Sequence, residues 1–161
     1  MKKASLRNLR NRNEFLPEND KDILLVEDNR YNVEFMLEAF EKHNLVDRVK
    51  IFQDGAKALD YLFTPGEYSD CNRYTQLRVI LLDLGLPKVG GLEVLRKIKS
   101  NELTKMIPVV VFTSSDRYED RKESYELGAN SYIVKPHSHE SFIKTVSEIV
   151  SYWVLRNVPY C

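Results

Sequence analysis

The stretch VILLDLGLPKVGG, residues 79–91, places a run of large apolar residues directly before Asp83. Such a short apolar run is typical of a strand that is buried on both faces, as in a parallel sheet. A carboxylate at the end of a buried strand costs several kcal/mol unless a positive charge or a hydrogen-bond donor pairs with it. The stretch therefore predicts a parallel sheet and requires partners around Asp83.

Short apolar runs alternate with longer amphipathic segments along the rest of the chain. The runs that predict strands are 23–27, 49–52, 78–83, 107–115 and 131–136. The segments with helical spacing are 29–43, 54–63, 91–100, 116–128 and 139–155, with Asp54 as the expected N-cap of the second. Five strands alternating with five helices predict an α/β fold, in which helices cover both faces of a doubly wound parallel sheet.

Four of the five predicted strands end in residues that can do chemistry. Glu27 and Asp28 end the first strand, Asp83 the third, Thr113 the fourth and Lys135 the fifth. Parallel strands bring their carboxyl ends to one edge of the sheet, so we expect these side chains to meet there. Three neighbouring carboxylates raise one another's pKa, and a hard divalent cation relieves that repulsion. The strand ends therefore predict a site for Mg²⁺, or for Mn²⁺ in its place.

The same residues suit phosphoryl transfer. Asp83, the central carboxylate, is the expected nucleophile that takes a phosphoryl group. Lys135 offers a compact positive charge, and Thr113 a hydroxyl, to the phosphoryl oxygens. Each residue alone has an ordinary explanation: a helix N-cap for the acidic pair, a surface lysine, or turn chemistry for Thr113 and the two serines after it. Their coincidence at one sheet edge favours the phosphoryl site.

Four motifs in this order and spacing resemble the receiver domain of two-component response regulators. They are ILLVEDN, LLDLGLPKVGGLEVL, VVVFTSS and SYIVKP, and the resemblance covers about residues 21–150. It implies a flavodoxin-like sheet with strand order 2-1-3-4-5. It also implies that the chain accepts phosphate but is not a turnover enzyme, and that a histidine kinase is the phosphodonor.

The resemblance also implies roles for individual residues. Asp83 is the implied phospho-acceptor, and Glu27 and Asp28 are the implied acidic pair for the metal, joined by the backbone carbonyl of Gly85. Thr113 and Lys135 match the family's hydroxyl and lysine, and Tyr132 matches its switch aromatic. Pro87 and Gly91 match the family's loop proline and glycine. The resemblance also implies that the Lys135–Pro136 peptide is cis.

A narrower resemblance is carried by FQDGAKALDYL, by GEY in the following loop, by SYEL and by the C-terminal VSYWVL. These segments are similar to the single-domain regulators of cyanobacterial phytochromes. This implies a photoreceptor kinase as donor and a homodimer, for which Tyr152 and Trp153 are the candidate contacts. A tryptophan on an apolar helical stripe is equally consistent with a core position.

Two glycines depart from the family pattern. Gly85 stands where a side chain is usual, which leaves the phosphoryl group more open to water. Gly90 stands where Asp is common, directly before Gly91. Glu27 in place of Asp is a tolerated variation, and we expect it to reach the metal through water.

The fourth predicted helix, DRYEDRKESYEL, is polar nearly all round. We expect Tyr118, Tyr125 and Leu127 to anchor it, and weak anchoring predicts a face that can shift. In the implied switch, phosphoryl oxygens pull Thr113 inward and Tyr132 turns into the space that it leaves. We expect His43, His137 and His139, which show no metal-binding spacing, to be solvated.

Bulk properties restrict the function classes. Lys+Arg and Asp+Glu both total 24, so no global charge points to nucleic acid, and no apolar run suits a membrane span. The N-terminus carries five basic residues among its first twelve, without the apolar region of a secretory signal. Cys71 and Cys161 lie too far apart for a metal or disulfide framework, which fits a cytoplasmic protein.

We predict a basic extension at 1–20, a receiver domain at 21–156 and a tail at 157–161. We expect output through contact with an unknown downstream protein.

Three other functions fit less well. A phosphatase of the haloacid dehalogenase type also uses a nucleophilic Asp and Mg²⁺, but it needs a second acid where this chain has Gly85. A receiver-like binding module that never takes phosphate would not need the intact acidic pair, Asp83, Thr113 and Lys135. A flavin-binding flavodoxin would need a phosphate loop, and the turn EDNRYN lacks it.

Overall fold

The computed structural model describes residues 22–64 and 76–159 of the 161-residue chain. The strands are β1 (Ile23–Val26), β2 (Val49–Phe52), β3 (Val79–Leu82), β4 (Val109–Thr113) and β5 (Ser131–Val134). The α-helices are α1 (Arg30–Lys42), α2 (Gly55–Phe63), α3 (Gly91–Ser100), α4 (Tyr118–Glu126) and α5 (His139–Val150). A short 3₁₀ turn, Val46–Arg48, precedes β2, and a π-helical segment, Ser151–Arg156, follows α5.

All five strands run parallel in the order β2-β1-β3-β4-β5, which confirms the predicted fold and strand order. Every residue of β1, β3 and β4 is buried, as their uninterrupted apolar runs predict. The strands end earlier than predicted, so Glu27 and Asp83 lie in the loops directly after β1 and β3. This places both carboxylates at the carboxyl edge of the sheet rather than within it.

The sheet divides the core into two apolar clusters, one on each face. Alternate residues of β1 point to opposite sides: Ile23 and Leu25 join the cluster under α1 and α5, and Leu24 and Val26 join the one under α2 and α3. Helices therefore cover both faces, as predicted. Among the described residues, no helix combines the length and apolar character needed to cross a bilayer.

Side-chain caps fix where several helices begin. Asp54 caps α2 by accepting the Lys57 N–H at 2.7 Å, which confirms the predicted N-cap. Asn29 caps α1 through the N–H groups of Tyr31 and Asn32, and Ser138 caps α5. Because each of these residues directly follows a strand or its loop, the caps also fix how each loop leaves the carboxyl edge.

Helix α4 differs from the prediction. Tyr118 and Tyr125 are exposed, at 63% and 50%, and they do not anchor the helix. Its only buried residue is Ser124, whose hydroxyl donates to the Asp120 carbonyl of the same helix at 2.7 Å. Leu127, just beyond the helix, packs on the second cluster, so one of the three expected anchors is present.

The chain beyond α5 changes its helical period. Its backbone is π-helical over Ser151–Arg156, and the Arg78 guanidinium donates to the carbonyl of Val154 there at 3.3 Å. Trp153 is half-buried and packs against the first cluster, whereas Tyr152 is 53% exposed. The two rings meet edge to face with centroids 5.0 Å apart. The core position weighed for Trp153 is thus the observed one, and Tyr152 faces outward.

Two further expectations are wrong. The Lys135–Pro136 peptide is trans, since no cis peptide bond occurs among the described residues, and trans is the more stable isomer for most X–Pro bonds. His43 is half-buried rather than solvated, because its Nε2 lies 2.7 Å from the Ser147 hydroxyl of α5. His139 is exposed but packs its ring against Phe35, with centroids 4.5 Å apart.

Some predictions fall outside the described residues. These are the basic extension up to residue 20, the loop with Cys71, and the terminal Cys161. The domain boundaries proposed from the sequence therefore stay predictions.

Candidate phosphoryl and metal site

Asp83 lies at the carboxyl edge and is only 7% exposed. Its backbone N–H donates to the Val26 carbonyl at 3.0 Å, which continues the β1–β3 ladder by one residue. Oδ2 lies 3.1 Å from the Lys135 ammonium. Oδ1 is buried and has no hydrogen-bond partner within the described part of the chain. The carboxylate thus keeps one oxygen for a further ligand.

Glu27 and Lys135 form the buried centre of the site. The ammonium donates to Glu27 Oε2 at 2.5 Å, and the Asn29 N–H donates to Oε1 at 3.1 Å. Burial raises the pKa of Glu27; the Lys135 ammonium opposes this rise, and the Asp83 carboxylate adds to it. Lys135 therefore bridges two carboxylates that would otherwise repel each other, and it fixes Glu27 beside Asp83.

Glu27, Asp28 and Asp83 each offer a carboxylate oxygen, and these oxygens all lie within 4.8 Å of one another. Asp28 is exposed while the other two acids are buried, so the cluster opens to solvent on one side. An all-oxygen donor set with an open side suits Mg²⁺ or Mn²⁺. The unpartnered Oδ1 of Asp83 is a second observation that fits such an ion.

Gly85 lies two residues after Asp83 and is exposed. A Cβ placed on it would come no closer than 3.9 Å to Asp83 Oδ2, so the position has room for a side chain. An open cleft of about 590 Å³ begins here and is lined by Gly85, Thr113, Ser115 and residues of α3 and α4. The cleft therefore borders the loop after Asp83 at a residue that has no side chain.

Thr113 ends β4 and is 2% exposed. Its Oγ1 accepts the Ser115 N–H at 3.3 Å, and the Ser115 carbonyl accepts the Tyr132 hydroxyl at 2.9 Å. Burial raises the pKa of Tyr132, so the phenol stays protonated and remains a donor at neutral pH. The ring of Tyr132 is half-buried and packs against the second cluster.

The structure adds two residues that the sequence patterns did not single out. Asn29 orients Glu27 through its backbone N–H while its side chain caps α1. Ser115 joins Thr113 to Tyr132 and also donates through Oγ to Asp120 Oδ2 at 2.5 Å, which ties α4 to the end of β4. An Asn directly after two acids is a recognisable cap signal, but no sequence signal pairs Ser115 with Asp120.

Close packing holds the loop after Asp83. A Cβ on Gly91 would overlap the carbonyl oxygen of Asp83, so only glycine fits there. Gly90 has no heavy atom within 4 Å of an added Cβ, so the Asp that is common in the resembled family would fit. The structure thus brings together Glu27, Asp28, Asp83, Thr113 and Lys135, with Gly85 and Tyr132 alongside.

Comparison with known proteins identifies the family. The sequence profile described as "Response regulator receiver domain" matches residues 23–147. The chain is 42% identical over 132 residues to the probable methanogenesis regulatory protein FilR2 of Methanothrix harundinacea, covering 82% of this chain and 83% of FilR2. It is 40% identical over 134 residues to the response regulator Rcp1 of a Synechocystis species, covering 83% and 89%.

Solved structures give the same result. The phosphorylated cyanobacterial phytochrome response regulator RcpA superposes with a TM-score of 0.78 at 37% identity, over 88% of this chain and 99% of RcpA. The Mn²⁺-bound form of Rcp1 superposes with a TM-score of 0.78 at 38% identity and the same coverage. The fold and the narrower resemblance to phytochrome response regulators are therefore both supported.

Proposed function

Since the chain belongs to the response regulator receiver domain family, we propose that it is a phosphorelay module that a histidine kinase phosphorylates on Asp83. Receivers of this family signal and are not turnover enzymes, so a phosphatase of the haloacid dehalogenase type is set aside. The observation that carries the proposal is the meeting of Asp83 with two acids and a lysine at one sheet edge.

In the proposed transfer, a carboxylate oxygen of Asp83 attacks the phosphorus of a phosphohistidine. The phosphorus–nitrogen bond breaks, the imidazole leaves with the bonding pair, and an acyl phosphate remains on Asp83. Lys135 is placed to balance the added charge, because its ammonium already lies 3.1 Å from Oδ2. Thr113 would donate its hydroxyl to a phosphoryl oxygen, because its contact with Ser115 uses Oγ1 only as an acceptor.

Glu27, Asp28, Asp83 and the backbone carbonyl of Gly85 are the residues proposed to hold Mg²⁺ or Mn²⁺. When bound, the ion neutralises charge that develops on the transferring phosphoryl group. Glu27 has both oxygens engaged, with Lys135 and with the Asn29 N–H, so its share in holding the ion is electrostatic as much as direct. Asp28, the exposed acid, has the freest carboxylate of the three.

Phosphorylation with a small donor tests this proposal. The full chain is incubated with Mg²⁺ and acetyl phosphate, and the product is examined by intact mass and by hydroxylamine, which cleaves acyl phosphates. We expect one hydroxylamine-sensitive phosphate per chain, lost in Asp83→Asn and on chelation of the metal. Turnover of external phosphomonoesters would support the phosphatase instead, and absence of any label would support a binding module that takes no phosphate.

We propose that Tyr132 reports the phosphorylated state. Its hydroxyl is held by the Ser115 carbonyl, two residues after Thr113, so a shift of Thr113 toward the phosphoryl group would change this contact. The expected result is a changed Tyr132 ring environment, measured by NMR of the free protein and of its beryllofluoride complex. Identical ring signals in both states would overturn this role.

We propose further that the donor is a phytochrome-type kinase and that the protein acts in the cytoplasm as a homodimer. The likeness to Rcp1 and to RcpA supports the donor class. Tyr152, Leu155 and Val158 are exposed apolar residues after α5, which supports an interface that uses Tyr152, with Trp153 beneath it. Light scattering of the full chain should give a dimer that Tyr152→Glu weakens; a monomer at tens of micromolar, with and without phosphodonor, would overturn the dimer.

A further inference from the structure

We propose that the Asp54–Gly55 corner, where β2 passes into α2, positions the loop after Asp83 for metal binding and phosphoryl transfer. The inference rests on the proposed function and adds positioning residues on the side of the loop away from Lys135. Asp54 is buried, at 6% exposure, yet it belongs to neither the metal cluster nor the phosphoryl site. A buried carboxylate outside the reaction site needs another reason for its place.

The two oxygens of Asp54 serve different elements. Oδ1 accepts the Lys57 N–H at 2.7 Å and caps α2. Oδ2 accepts a hydrogen bond from the ammonium of Lys88 at 3.4 Å, and Lys88 lies in the loop between Asp83 and α3. The Lys57 N–H, first among several donors and charges, holds the pKa of Asp54 below its usual range, so the carboxylate stays charged at neutral pH. The ionised side chain of Asp54 therefore joins the start of α2 to the loop after Asp83.

The backbone of the loop is fitted to this corner. A Cβ on Gly55 would overlap the carbonyl oxygen of Val89, the residue after Lys88. Lys88 itself has a φ of 63°, which is uncommon for a residue with a side chain and costs free energy unless its surroundings hold it. The ion pair with Asp54 and the contact between Gly55 and Val89 supply that restraint.

The position of the loop matters because it carries Gly85, whose carbonyl is proposed to face the metal. Gly91 packs directly on the Asp83 carbonyl, so the loop is fixed at both of its ends. Displacement in the middle of the loop would therefore move Gly85 and leave Asp83 in place. Residues that only orient metal ligands commonly change metal affinity by about 10- to 100-fold when they are substituted.

Mn²⁺ binding to the full chain, measured by titration calorimetry, tests the positioning role. Lys88 and Lys57 are matched probes, since both approach Asp54 Oδ2, at 3.4 and 3.9 Å, with side chains 64% and 68% exposed. Only Lys88 lies on the loop. We expect Lys88→Met to weaken Mn²⁺ binding about two- to fivefold, the range of an exposed ion pair. Lys57→Met should leave the affinity unchanged or slightly higher.

The direction of the effect separates positioning from simple charge. Removing a lysine near a cation site would tighten Mn²⁺ binding if only its charge mattered. Asp54→Asn keeps the helix cap, because Asn caps as well as Asp, but it loses the charge that holds Lys88. We expect it to weaken Mn²⁺ binding, with no further loss in the double variant with Lys88→Met. Gly55→Ala, which pushes on the Val89 backbone, should cost at least about tenfold.

Several results would overturn the positioning role: tighter or unchanged binding in Lys88→Met, equal effects of Lys88→Met and Lys57→Met, or additive losses in the double variant. Thermal melts without metal identify a variant whose weaker binding comes from partial unfolding, and Lys88→Met at an exposed position avoids that problem. If the wild-type chain fails to bind Mn²⁺ or to take phosphate on Asp83, the proposed function itself fails. If wild type does both and the variants match it, only the positioning role fails.

Discussion

Helices α4 and α5 follow each other in the chain and are attached to the sheet in opposite ways. Helix α5 buries five apolar side chains: Phe142, Ile143, Val146, Ile149 and Val150. Helix α4 buries only Ser124 and is held by polar contacts, from Ser115 to Asp120 and from Arg96 of α3 to Glu123. Separating an apolar interface costs the free energy of its burial, whereas single polar contacts can be exchanged for contacts with water or with other groups. We therefore expect α4 to shift more readily than α5.

The largest expected effect concerns the packing of α5. Phe142 is 4% exposed and meets Phe35 and Phe112 edge to face, with centroids 5.7 and 5.1 Å away. Phe142→Ala should lower the free energy of unfolding by about 3–5 kcal/mol, measured by urea denaturation. Tyr125→Ala in α4, where the ring is 50% exposed, should change it by less than about 0.5 kcal/mol.

Phe142→Leu keeps most of the volume and serves as a milder variant if Phe142→Ala does not fold. Equal losses from Tyr125→Ala and Phe142→Leu would contradict the distinction between the two helices.

A smaller effect is expected at the contact between Ser115 and Asp120. Asp120→Ala removes a 2.5 Å hydrogen bond to a carboxylate. It should lower the local opening free energy of 118–126 by about 1.5 kcal/mol, which is roughly tenfold faster amide exchange. Amides of α5 should keep their rates. The neighbouring Glu119 is 71% exposed, and its only ion pair among the described residues is with Arg117, so Glu119→Ala is the matched control.

Lys99 of α3 contacts the segments that flank β4 and α4, and the pH dependence of stability tests these contacts. Its ammonium donates to the carbonyls of Lys105 and Ile107 and to Asn130 Oδ1, at 3.0, 2.8 and 3.0 Å. Burial lowers the pKa of Lys99 to about 8. Between that value and the ordinary lysine pKa of about 10.4, the unfolded chain binds the proton and the folded one releases it, so stability rises with pH.

We compare the free energy of unfolding of wild type with that of Lys99→Met. Its increase from pH 7.5 to pH 10 should be larger in wild type by no more than about 1 kcal/mol, because Lys99 is partly solvated and its three acceptors favour the charged form. Urea denaturation at pH 7.5 and at pH 10 measures it, with Lys97→Met on the exposed side of α3 as the control. If the free energy of unfolding of wild type relative to Lys99→Met fell with rising pH, that would contradict the lowered pKa of Lys99.

The smallest effect is expected at Arg96, which lies 2.5 Å from Glu93 and 3.1 Å from Glu123 with about half of its side chain exposed. Arg96→Gln should cost no more than about 0.5 kcal/mol, and high salt should abolish the cost. A loss above that of Asp120→Ala would show that α4 is held mainly from α3 rather than from β4.

The difference between the two helices also explains which features the sequence predicts. Buried strands and α5 carry apolar patterns that follow the period of the element, so these patterns predict the parallel sheet and the residues at its carboxyl edge. The order of the strands is predicted by the resemblance to receiver domains. Each of the residues Glu27, Asp83, Thr113 and Lys135 ends a strand or directly follows one. Because the strands are parallel, these residues meet at one edge of the sheet. Asp54 was predicted as a cap because the capping signal is local.

Helix α4 has no apolar period, so nothing in its sequence shows which face is inward. The prediction chose Tyr118 and Tyr125 because they are large, yet the inward residue is the small Ser124. The partners of Asp120 and Glu123 come from other elements, and polar pairs between elements leave no periodic trace. The half-buried His43 was missed for the same reason, since its partner Ser147 is 104 positions away.

The carboxylates at the sheet edge have a consequence for the stability of the whole fold. Glu27, Asp28 and Asp83 share one lysine, so two negative charges lack a counter-charge within the cluster. Folding brings these excess negative charges close together, and their repulsion lowers the free energy of unfolding. Asp28→Asn should therefore melt at a higher temperature than wild type in chelator, and at a lower one in millimolar Mg²⁺. We therefore expect the thermal stability of this domain to depend on the concentration of divalent cations.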